Sequence, residues 1–290
     1  MIFVIEVIEV STPQQEGLRI GMWNVRSMGE KKGAVKKRIT DHNFDIFAVV
    51  ETWLKDGQES NVRLTGYHKP IALNRTGKDG GGLLLYLKKN INFKVETSAQ
   101  SMKYIQFQCV KIIEPIRFDL INVYVPPDLE ESALFLLKAF LASRNREDNI
   151  VILGDFNMSV FDYETELEKI EEKFGVEQLI KTATRPKEGQ TRILDHIYVS
   201  SPPPLNQDMT EKGEKSVSNP SSALEVLETG VMGKESSDHR AIYCTLKLTS
   251  GVASGDASAS ATVSTSENVP CHDVETEDFS CKFKKCKGLQ

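Results

Sequence analysis

An aspartate and an asparagine stand two residues apart, directly after a short apolar run. Asp155 and Asn157 belong to the sequence Gly-Asp-Phe-Asn at residues 154–157, which follows the apolar residues 150–153. Side chains two residues apart in an extended chain point to the same side, about 7 Å apart along the backbone. Both groups could therefore bind one ligand. Taken alone, the motif is more simply explained as a turn that closes a strand.

A second carboxylate, Asp195, falls among residues that we expect to face the core. It shares its side of an extended chain with Ile197, and a buried carboxylate is costly unless it is paired. His239, just before the strand-like run 241–248, is the candidate partner whose imidazole Asp195 would orient. The adjacent Asp238 points a different way, so that one of the two can bind metal while the other meets substrate.

Oxygen ligands also occur at the ends of the first two predicted strands. Asn24 lies in Met-Trp-Asn and Glu51 begins Glu-Thr-Trp. Amide and carboxylate oxygens are the hard donors that Mg²⁺ or Mn²⁺ prefers. Tyr124 ends a further strand with a phenol that can donate to a phosphate oxygen. Each of these residues, considered singly, has an ordinary explanation in turns or packing.

Two groups of polar residues have simpler explanations than chemistry. His196 falls on the opposite side of its strand from Asp195, which predicts a surface histidine. A basic face on the first predicted helix is typical of solvation rather than of a DNA contact. Its residues are Lys31, Lys32, Lys36, Lys37 and Arg38.

The cysteines favour neither a disulfide framework nor a zinc site. Their number, five, is odd, and Cys109 and Cys244 fall in strand-like runs where a small hydrophobe would serve equally well. The remaining candidates lack a paired Cys-x-x-Cys spacing. They are Cys271, His272, Cys281 and Cys286.

These candidates require elements that hold them at strand ends. Short apolar runs bounded by charged residues or glycine predict buried strands at 46–50, 83–87 and 150–153. Alternating patterns predict half-buried antiparallel strands at 105–110 and 118–125. Helical patterns occur at 33–41, 132–143 and 163–174, the last closed by Gly175.

Composition divides the chain into one domain and its flanking segments. We expect an extension at 1–16, a domain at 17–249 with an exposed insert at about 201–222, and a low-complexity tail at 250–290. The apolar start carries two glutamates and no preceding basic residue, which is not typical of a signal peptide or a membrane span. The net charge of −5 argues against holding nucleic acid by charge neutralisation alone, although a bound metal would supply positive charge.

Taken together, the motifs resemble those of the endonuclease/exonuclease/phosphatase superfamily. In order they are W-N, E-T-W, N-V-Y-x-P-P, G-D-F-N, L-D-H and S-D-H, over about residues 18–248. The sequence looks most like the apurinic/apyrimidinic-type endonuclease domain of non-LTR retrotransposons. Arg26 departs from the pattern, since abasic-site endonucleases have an acidic residue there, and this puts abasic specificity in doubt. The chain also lacks a polymerase motif.

The resemblance implies an α/β (α+β) fold, a four-layer α/β sandwich of two mostly antiparallel sheets flanked by helices. It implies a Mg²⁺-dependent DNA endonuclease that nicks its substrate, with Mn²⁺ able to substitute. The implied catalytic residues are Asp155, His239, Asp195, Tyr124 and Asn157. The implied metal ligands are Glu51, Asn24 and Asp238, and the implied substrate-binding residues are Arg26, Thr184 and Arg185.

Several alternatives remain open at this point. Either Asp155 or His239 could be the general base, and one or two metal ions could act. A poly(A) exonuclease, an inositol-lipid or sphingomyelin phosphoesterase, and a catalytically silent scaffold are rival functions. We expect an intracellular monomer, in the nucleus rather than the cytoplasm, that binds DNA and no membrane.

Overall fold

The structure, a computed structural model, describes residues 17–77, 79–101, 103–143, 148–186, 191–200, 223–234 and 236–249. The predicted extension (1–16), insert (201–222) and tail (250–290) lie outside these residues, together with the cysteines and histidine of the tail.

The domain alternates strands with a few helices. The strands are β1 (Leu18–Asn24), β2 (Ile46–Val50), β3 (Ile71–Leu73), β4 (Leu83–Leu87), β5 (Asn92–Gln100), β6 (Gln106–Glu114), β7 (Phe118–Tyr124), β8 (Ile150–Asp155), β9 (Val176–Gln178), β10 (Asp195–Ser200), β11 (Ala223–Val231) and β12 (Ile242–Thr249). The α-helices are α1 (Lys32–Asp41), α2 (Glu130–Ser143) and α3 (Glu164–Phe174), with 3₁₀ turns at Gln58–Val62 and Val160–Tyr163. None of the helices in the described part of the chain combines the length and the apolar composition that a membrane span requires.

The strands form two six-stranded sheets. Sheet one has the order β11-β12-β1-β2-β4-β3, and sheet two has the order β5-β6-β7-β8-β10-β9. Neighbouring strands are antiparallel except for two parallel pairs, β1 with β2 and β7 with β8. The expectation of two mostly antiparallel sheets is confirmed.

Alternating residues of the central strands face different layers. In β1, Ile20 and Met22 belong to the core between the sheets, whereas Trp23 packs in the cluster under α1. In β8, Ile152 faces outward and shares a cluster with Leu137 of α2 and with α3. The layers are therefore α1, sheet one, sheet two and α2 with α3, which confirms the predicted four-layer sandwich.

The strands that the sequence analysis did not identify lie mainly at sheet edges. β5 and β11 are each one of the two outer strands of a sheet, and most of their residues are exposed or half-buried. Since neither face of these strands is fully covered, neither needs the apolar pattern that marks a buried strand. The central strands β2, β4 and β8, which are buried throughout, occur where apolar runs predict them.

The two parallel pairs determine where a site can form. Neighbouring parallel strands end on the same side of their sheet, so the carboxyl end of β1 lies beside that of β2, and the carboxyl end of β7 lies beside that of β8. β12 and β10 are antiparallel to β1 and β8, and both therefore begin where β1 and β8 end. Six segments that carry the predicted motifs thus converge.

The prediction of a solvated basic face on α1 is wrong for one of its residues, Arg38. Its side chain is buried, and its guanidinium lies 4.4 Å from the ring centre of Trp23. An arginine can place its planar cation over an aromatic face while its stem packs on apolar surface. Arg38 therefore belongs to the packing between α1 and sheet one.

His196 corrects the prediction of a surface histidine. Alternation does turn it away from Asp195, but the outer face of sheet two is covered, and His196 is completely buried. Its ring stacks on Phe156, with centroids 4.9 Å apart. Nε2 donates to the carbonyl of Met158 at 2.9 Å, and Nδ1 accepts from the Tyr198 hydroxyl at 3.0 Å. Both ring nitrogens of a neutral imidazole are therefore satisfied.

The burial of His196 predicts a loss of stability in mild acid. Burial lowers the pKa of His196 from 6.5 to about 4. Between these pH values the imidazole is protonated in the unfolded chain and neutral in the folded chain. The free energy of unfolding carries the full contribution of neutral His196 above pH 6.5. This contribution is lost as the pH falls toward 4, by about 3 kcal/mol in total. Urea unfolding of wild type and of His196→Gln across this range measures the difference. Equal pH dependence in the two proteins would contradict the prediction.

Candidate active site

The polar residues of the site continue the inward-facing rows of the central strands. Asn24 follows Ile20 and Met22 in β1, and Asp155 follows the inward-facing Leu153 in β8. Across sheet two, Asp155 pairs with Tyr124 on one side and with Asp195 on the other. Side chains that would otherwise extend the core thus place carboxylate, amide and phenol groups at one edge.

Asp195 and His239 form the buried pair that the sequence predicts. The Nδ1 atom of His239 donates to Asp195 Oδ2 at 2.8 Å, and both side chains are almost completely buried. Burial alone would lower the pKa of His239, but the charge and hydrogen bond of Asp195 outweigh it and raise this pKa to about 9. His239 is therefore held as a cation, with Nε2 left to meet another group.

Asp155 completes a buried triad with Asp195 and His239. Carboxylate oxygens of the two aspartates and a ring nitrogen of His239 all lie within 4.8 Å of one another. Burial first, and then the charge of Asp195, raises the pKa of Asp155. Asn157 turns back toward it, and its backbone N–H donates to Asp155 Oδ1 at 2.9 Å. The triad has the proton-accepting and proton-donating groups that acid–base chemistry requires.

Asn24 links this triad to Glu51. Its Nδ2 atom donates to Asp155 Oδ2 at 2.7 Å and to Glu51 Oε1 at 2.9 Å, while Oδ1 accepts from the backbone N–H of Arg26 at 3.0 Å. Glu51 Oε2 accepts from the indole N–H of Trp53 at 3.2 Å. One amide thus holds two carboxylates in fixed positions.

The donor set fits a hard divalent cation. Half-buried Glu51 offers the carboxylate donor that Mg²⁺ prefers, whereas Asn24 turns its amide nitrogen toward Glu51 and its oxygen toward the backbone N–H of Arg26. The triad is a second arrangement that could hold a cation, and Asp195 Oδ1 is buried there without a hydrogen-bond partner in the described residues. Such an oxygen is costly unless a proton or cation accompanies it.

Tyr124 lies beside an arginine that the sequence analysis missed. Burial, followed by the charges of Glu51 and Asp155, raises the pKa of Tyr124, so its hydroxyl stays protonated and can donate. The guanidinium of Arg75 lies 5.2 Å from the centre of the Tyr124 ring. Arg75 stands in a loop outside every motif, and no local pattern marks it.

Asp238 occupies a different position from the other predicted metal ligands. Its Oδ2 atom accepts from Arg26 Nη1 and from Arg185 Nε, both at 2.9 Å, and a second nitrogen of Arg185 lies at the same distance. Partial burial opposes ionisation, but the charges of His239, Arg185 and Arg26 keep the pKa of Asp238 below its usual value. The structure therefore places Asp238 among arginines, outside the triad.

Thr184 is predicted to contact substrate, but its burial argues against this role. Its side chain is completely buried, and its hydroxyl accepts from the backbone N–H groups of Leu194 and Asp195 at 3.1 and 3.2 Å. Two backbone donors occupy the oxygen that would face a ligand. Thr184 therefore fixes the start of β10 and with it the position of Asp195.

Two further supporting residues hold the loop of His239. The buried indole N–H of Trp23 donates to the carbonyl of His239 at 3.0 Å. The Ser237 hydroxyl donates to the carbonyl of Asn24 at 2.8 Å and accepts from the backbone N–H of His239 at 3.2 Å. Both residues belong to the quoted motifs, so the signal was present, although their partners could not be identified from sequence.

Backbone strain concentrates in the loops of the site. Five of its non-glycine residues have positive φ, which side chains other than glycine rarely adopt. They are Arg26, Ser27, Glu51, Trp53 and Asn157. Such conformations persist only where the surrounding contacts impose them, and they occur often at functional sites.

Comparison with known proteins is consistent with this geometry. Residues 23–239 match the Endonuclease/Exonuclease/phosphatase family. Over 117 residues the chain is 26% identical to the RNA-directed DNA polymerase from mobile element jockey of Drosophila funebris. The match covers 39% of this chain and only 12% of that relative's length.

Solved structures show the same fold at low sequence identity. A family protein from Bacteroides thetaiotaomicron superposes with a TM-score of 0.57 at 16% identity, covering 80% of this chain and 98% of that one. TDP2 of D. rerio, crystallised with a single-strand DNA product, gives a TM-score of 0.55 at 14% identity, covering 79% and 98%. With its motifs, its sandwich of two sheets and a family match over most of its length, this chain belongs to the Endonuclease/Exonuclease/phosphatase family, whose members hydrolyse phosphodiester or phosphate-ester bonds.

Proposed function

We propose that this protein is a divalent-metal-dependent DNA endonuclease that nicks its substrate and that derives from, or belongs to, a non-LTR retrotransposon. The observation that carries the proposal is the buried triad of Asp155, Asp195 and His239, joined through Asn24 to Glu51. Similarity to a mobile-element polymerase supports the retrotransposon origin. We propose that it acts as an intracellular monomer.

In this mechanism Glu51 would hold Mg²⁺, or Mn²⁺ in its place, and Asn24 would join it through Oδ1 once its amide had turned, since Nδ2 faces Glu51 in the structure. The cation, when bound, withdraws charge from a phosphate oxygen and eases the departure of the leaving oxygen. Carboxylate and amide oxygens are the donors that such an ion takes, and Glu51 remains partly accessible. Asn24 additionally keeps Glu51 and Asp155 at a fixed separation.

We assign the proton transfer to Asp155 and phosphate contact to His239. Three carboxylates raise the pKa of His239 and favour its imidazolium form, which donates hydrogen bonds rather than accepting a proton. Its Nε2 can therefore donate to a phosphate oxygen while Asp195 holds Nδ1. Asp155 then accepts the proton of the attacking water, since its burial raises its affinity for a proton. Tyr124 donates to the charge that gathers on the phosphate oxygens.

Trp53 supports a nucleic acid as the substrate. Its side chain is 45% exposed at the rim of the site, which is unusual for so large an apolar group. The hydrogen bond to Glu51 fixes the indole in place. A fixed, exposed aromatic face is a platform on which a base can stack, at about 1–3 kcal/mol per base.

The test is cleavage of supercoiled plasmid with Mg²⁺, with Mn²⁺ and with EDTA. We expect nicked circles with either ion and none in EDTA, and we expect Asp155→Asn to abolish nicking because an amide cannot accept the proton. Poly(A) RNA, inositol phospholipid and sphingomyelin serve as rival substrates in the same buffers. Full activity in EDTA, or nicking by the Asp155 variant at the wild-type rate, would overturn the mechanism. If none of these substrates is cleaved, the result would favour the rival function of a catalytically silent scaffold.

A further inference from the structure

The carboxylate of Asp238 is the meeting point of two arginines. A single oxygen, Oδ2, receives Arg26 Nη1 and two nitrogens of Arg185, each at 2.9 Å. Both arginine side chains are partly exposed, at 47% for Arg26 and 36% for Arg185. The two guanidiniums are therefore held together by one anion and face solvent at the edge of the site.

We propose that Asp238 is a positioning residue rather than a metal ligand, and that it holds Arg26 and Arg185 as a clamp for one phosphate of the DNA backbone. The clamp rests on the proposed function, because its ligand is a phosphodiester of the same substrate. Arg26 and Arg185 would touch that phosphate, while Asp238 would act only through them.

The position of the clamp follows from the residues beside it. The backbone N–H of Arg26 donates to Asn24 Oδ1, and Arg185 follows Thr184, whose hydroxyl holds the backbone of Asp195. Asp238 precedes His239 in sequence. The clamp therefore adjoins the triad, where the phosphate next to the one being cleaved would lie.

The donors of the clamp are not exhausted by Asp238. A guanidinium has five N–H donors in a planar fork. Against the described residues, Arg26 and Arg185 each donate one side-chain hydrogen bond to Asp238, and a second nitrogen of Arg185 lies within ion-pair distance of it. Each arginine thus keeps N–H groups for a phosphate oxygen, and planar pairing with phosphate is the contact that arginine makes best.

A metal at Asp238 would be poorly placed by comparison with Glu51. A divalent cation on Oδ2 would stand next to two guanidinium charges, and like charges at such distances repel strongly. The described partners of Glu51 are the amide of Asn24 and the indole of Trp53, both neutral. Glu51 therefore has an uncompensated charge to offer a cation. Asp238 keeps one oxygen, the buried Oδ1, without a hydrogen-bond partner in the described residues, but a cation there would share its carboxylate with the two guanidinium charges on Oδ2.

The first experiment separates the two carboxylates without using activity. Mn²⁺ binding to the full chain in the absence of DNA is measured by calorimetry for wild type, Glu51→Gln and Asp238→Asn. We expect Glu51→Gln to weaken binding by about tenfold or more and Asp238→Asn to change it by less than about threefold. Equal weakening by the two variants would show that Asp238 is a metal ligand and would overturn the proposal.

The second experiment tests the clamp by the salt dependence of DNA binding in EDTA. Replacing both arginines with glutamine should lower the slope of log Kd against log salt by about one, as expected for one lost phosphate contact. The matched control is the double change Lys169→Gln and Lys181→Gln, which removes the same charge from exposed positions. A slope equal to that of wild type in the arginine variant would refute the clamp.

A mutant cycle tests whether Asp238 acts through the arginines. Removing a negative charge should by itself tighten DNA binding, so weakening by Asp238→Asn would indicate lost positioning. We expect Asp238→Asn to weaken DNA binding several-fold in the wild-type background. The same change should not weaken binding when both arginines are glutamine. Tighter binding, or the same weakening in both backgrounds, would contradict the role. These DNA-binding measurements remain decisive even if wild type neither binds Mn²⁺ nor nicks plasmid, a result that would instead refute the proposed function.

Discussion

Replacing His239 with alanine is expected to slow single-turnover nicking by about 10²–10³-fold, a loss typical of one removed donor to developing charge. DNA affinity should change far less, because the imidazolium contributes most as charge builds on the phosphate. Quench-flow nicking at saturating DNA and filter binding in EDTA measure the two effects separately. His42→Ala is the control, since His42 is exposed at the end of α1.

Asp195→Asn should have a similar effect on turnover. The amide carries no charge to hold the imidazolium, and it can favour the wrong ring tautomer. Since the two side chains share one hydrogen bond of 2.8 Å, the double variant should be little slower than either single variant. Losses that multiply in the double variant would show that Asp195 and His239 act independently.

Glu51→Gln should raise the Mg²⁺ concentration for half-maximal nicking by about tenfold or more, equal to at least 1.4 kcal/mol of binding. Glutamine preserves the shape and the bond from Asn24 but removes the charge that a hard cation requires. Metal titrations of the nicking rate measure the shift. Glu172→Gln makes the same chemical change on an exposed face of α3 and should leave the midpoint unchanged.

The same titration distinguishes the two possible cation positions. A cation bound within the triad would be weakened by His239→Ala and little affected by Glu51→Gln. A cation bound by Glu51 and Asn24 would show the opposite pattern, with His239→Ala slow at every Mg²⁺ concentration. An unchanged midpoint in Glu51→Gln would therefore remove Glu51 from the metal site.

The sequence was most informative where burial dictates residue type. The strands β2, β4 and β8 are apolar because layers cover both faces, and such runs are visible without a structure. The pairing of Asp195 with His239 was likewise predictable, because a carboxylate on a core-facing row needs a partner. Alternation alone failed for His196, since it gives the direction of a side chain and not whether another layer covers it.

Other features of the site depend on contacts between distant segments. Asp238 meets Arg26 across 212 residues, and no local pattern indicates that an arginine rather than a metal ion faces the carboxylate. Arg75 reaches Tyr124 from a loop that belongs to no motif. The family resemblance implied that Thr184 contacts substrate, whereas its hydroxyl is used by the backbone of β10.

The long separation between the two halves of the site has a consequence for protein synthesis. Trp23 binds the carbonyl of His239 across 216 residues, and β1 pairs with β12. A nascent chain displays Asn24, Glu51 and Asp155 well before the ribosome has translated His239 and the strand that anchors it. Partly translated copies therefore hold an incomplete set of catalytic groups, and the proposed nuclease would become active only once β12 has been translated and has docked.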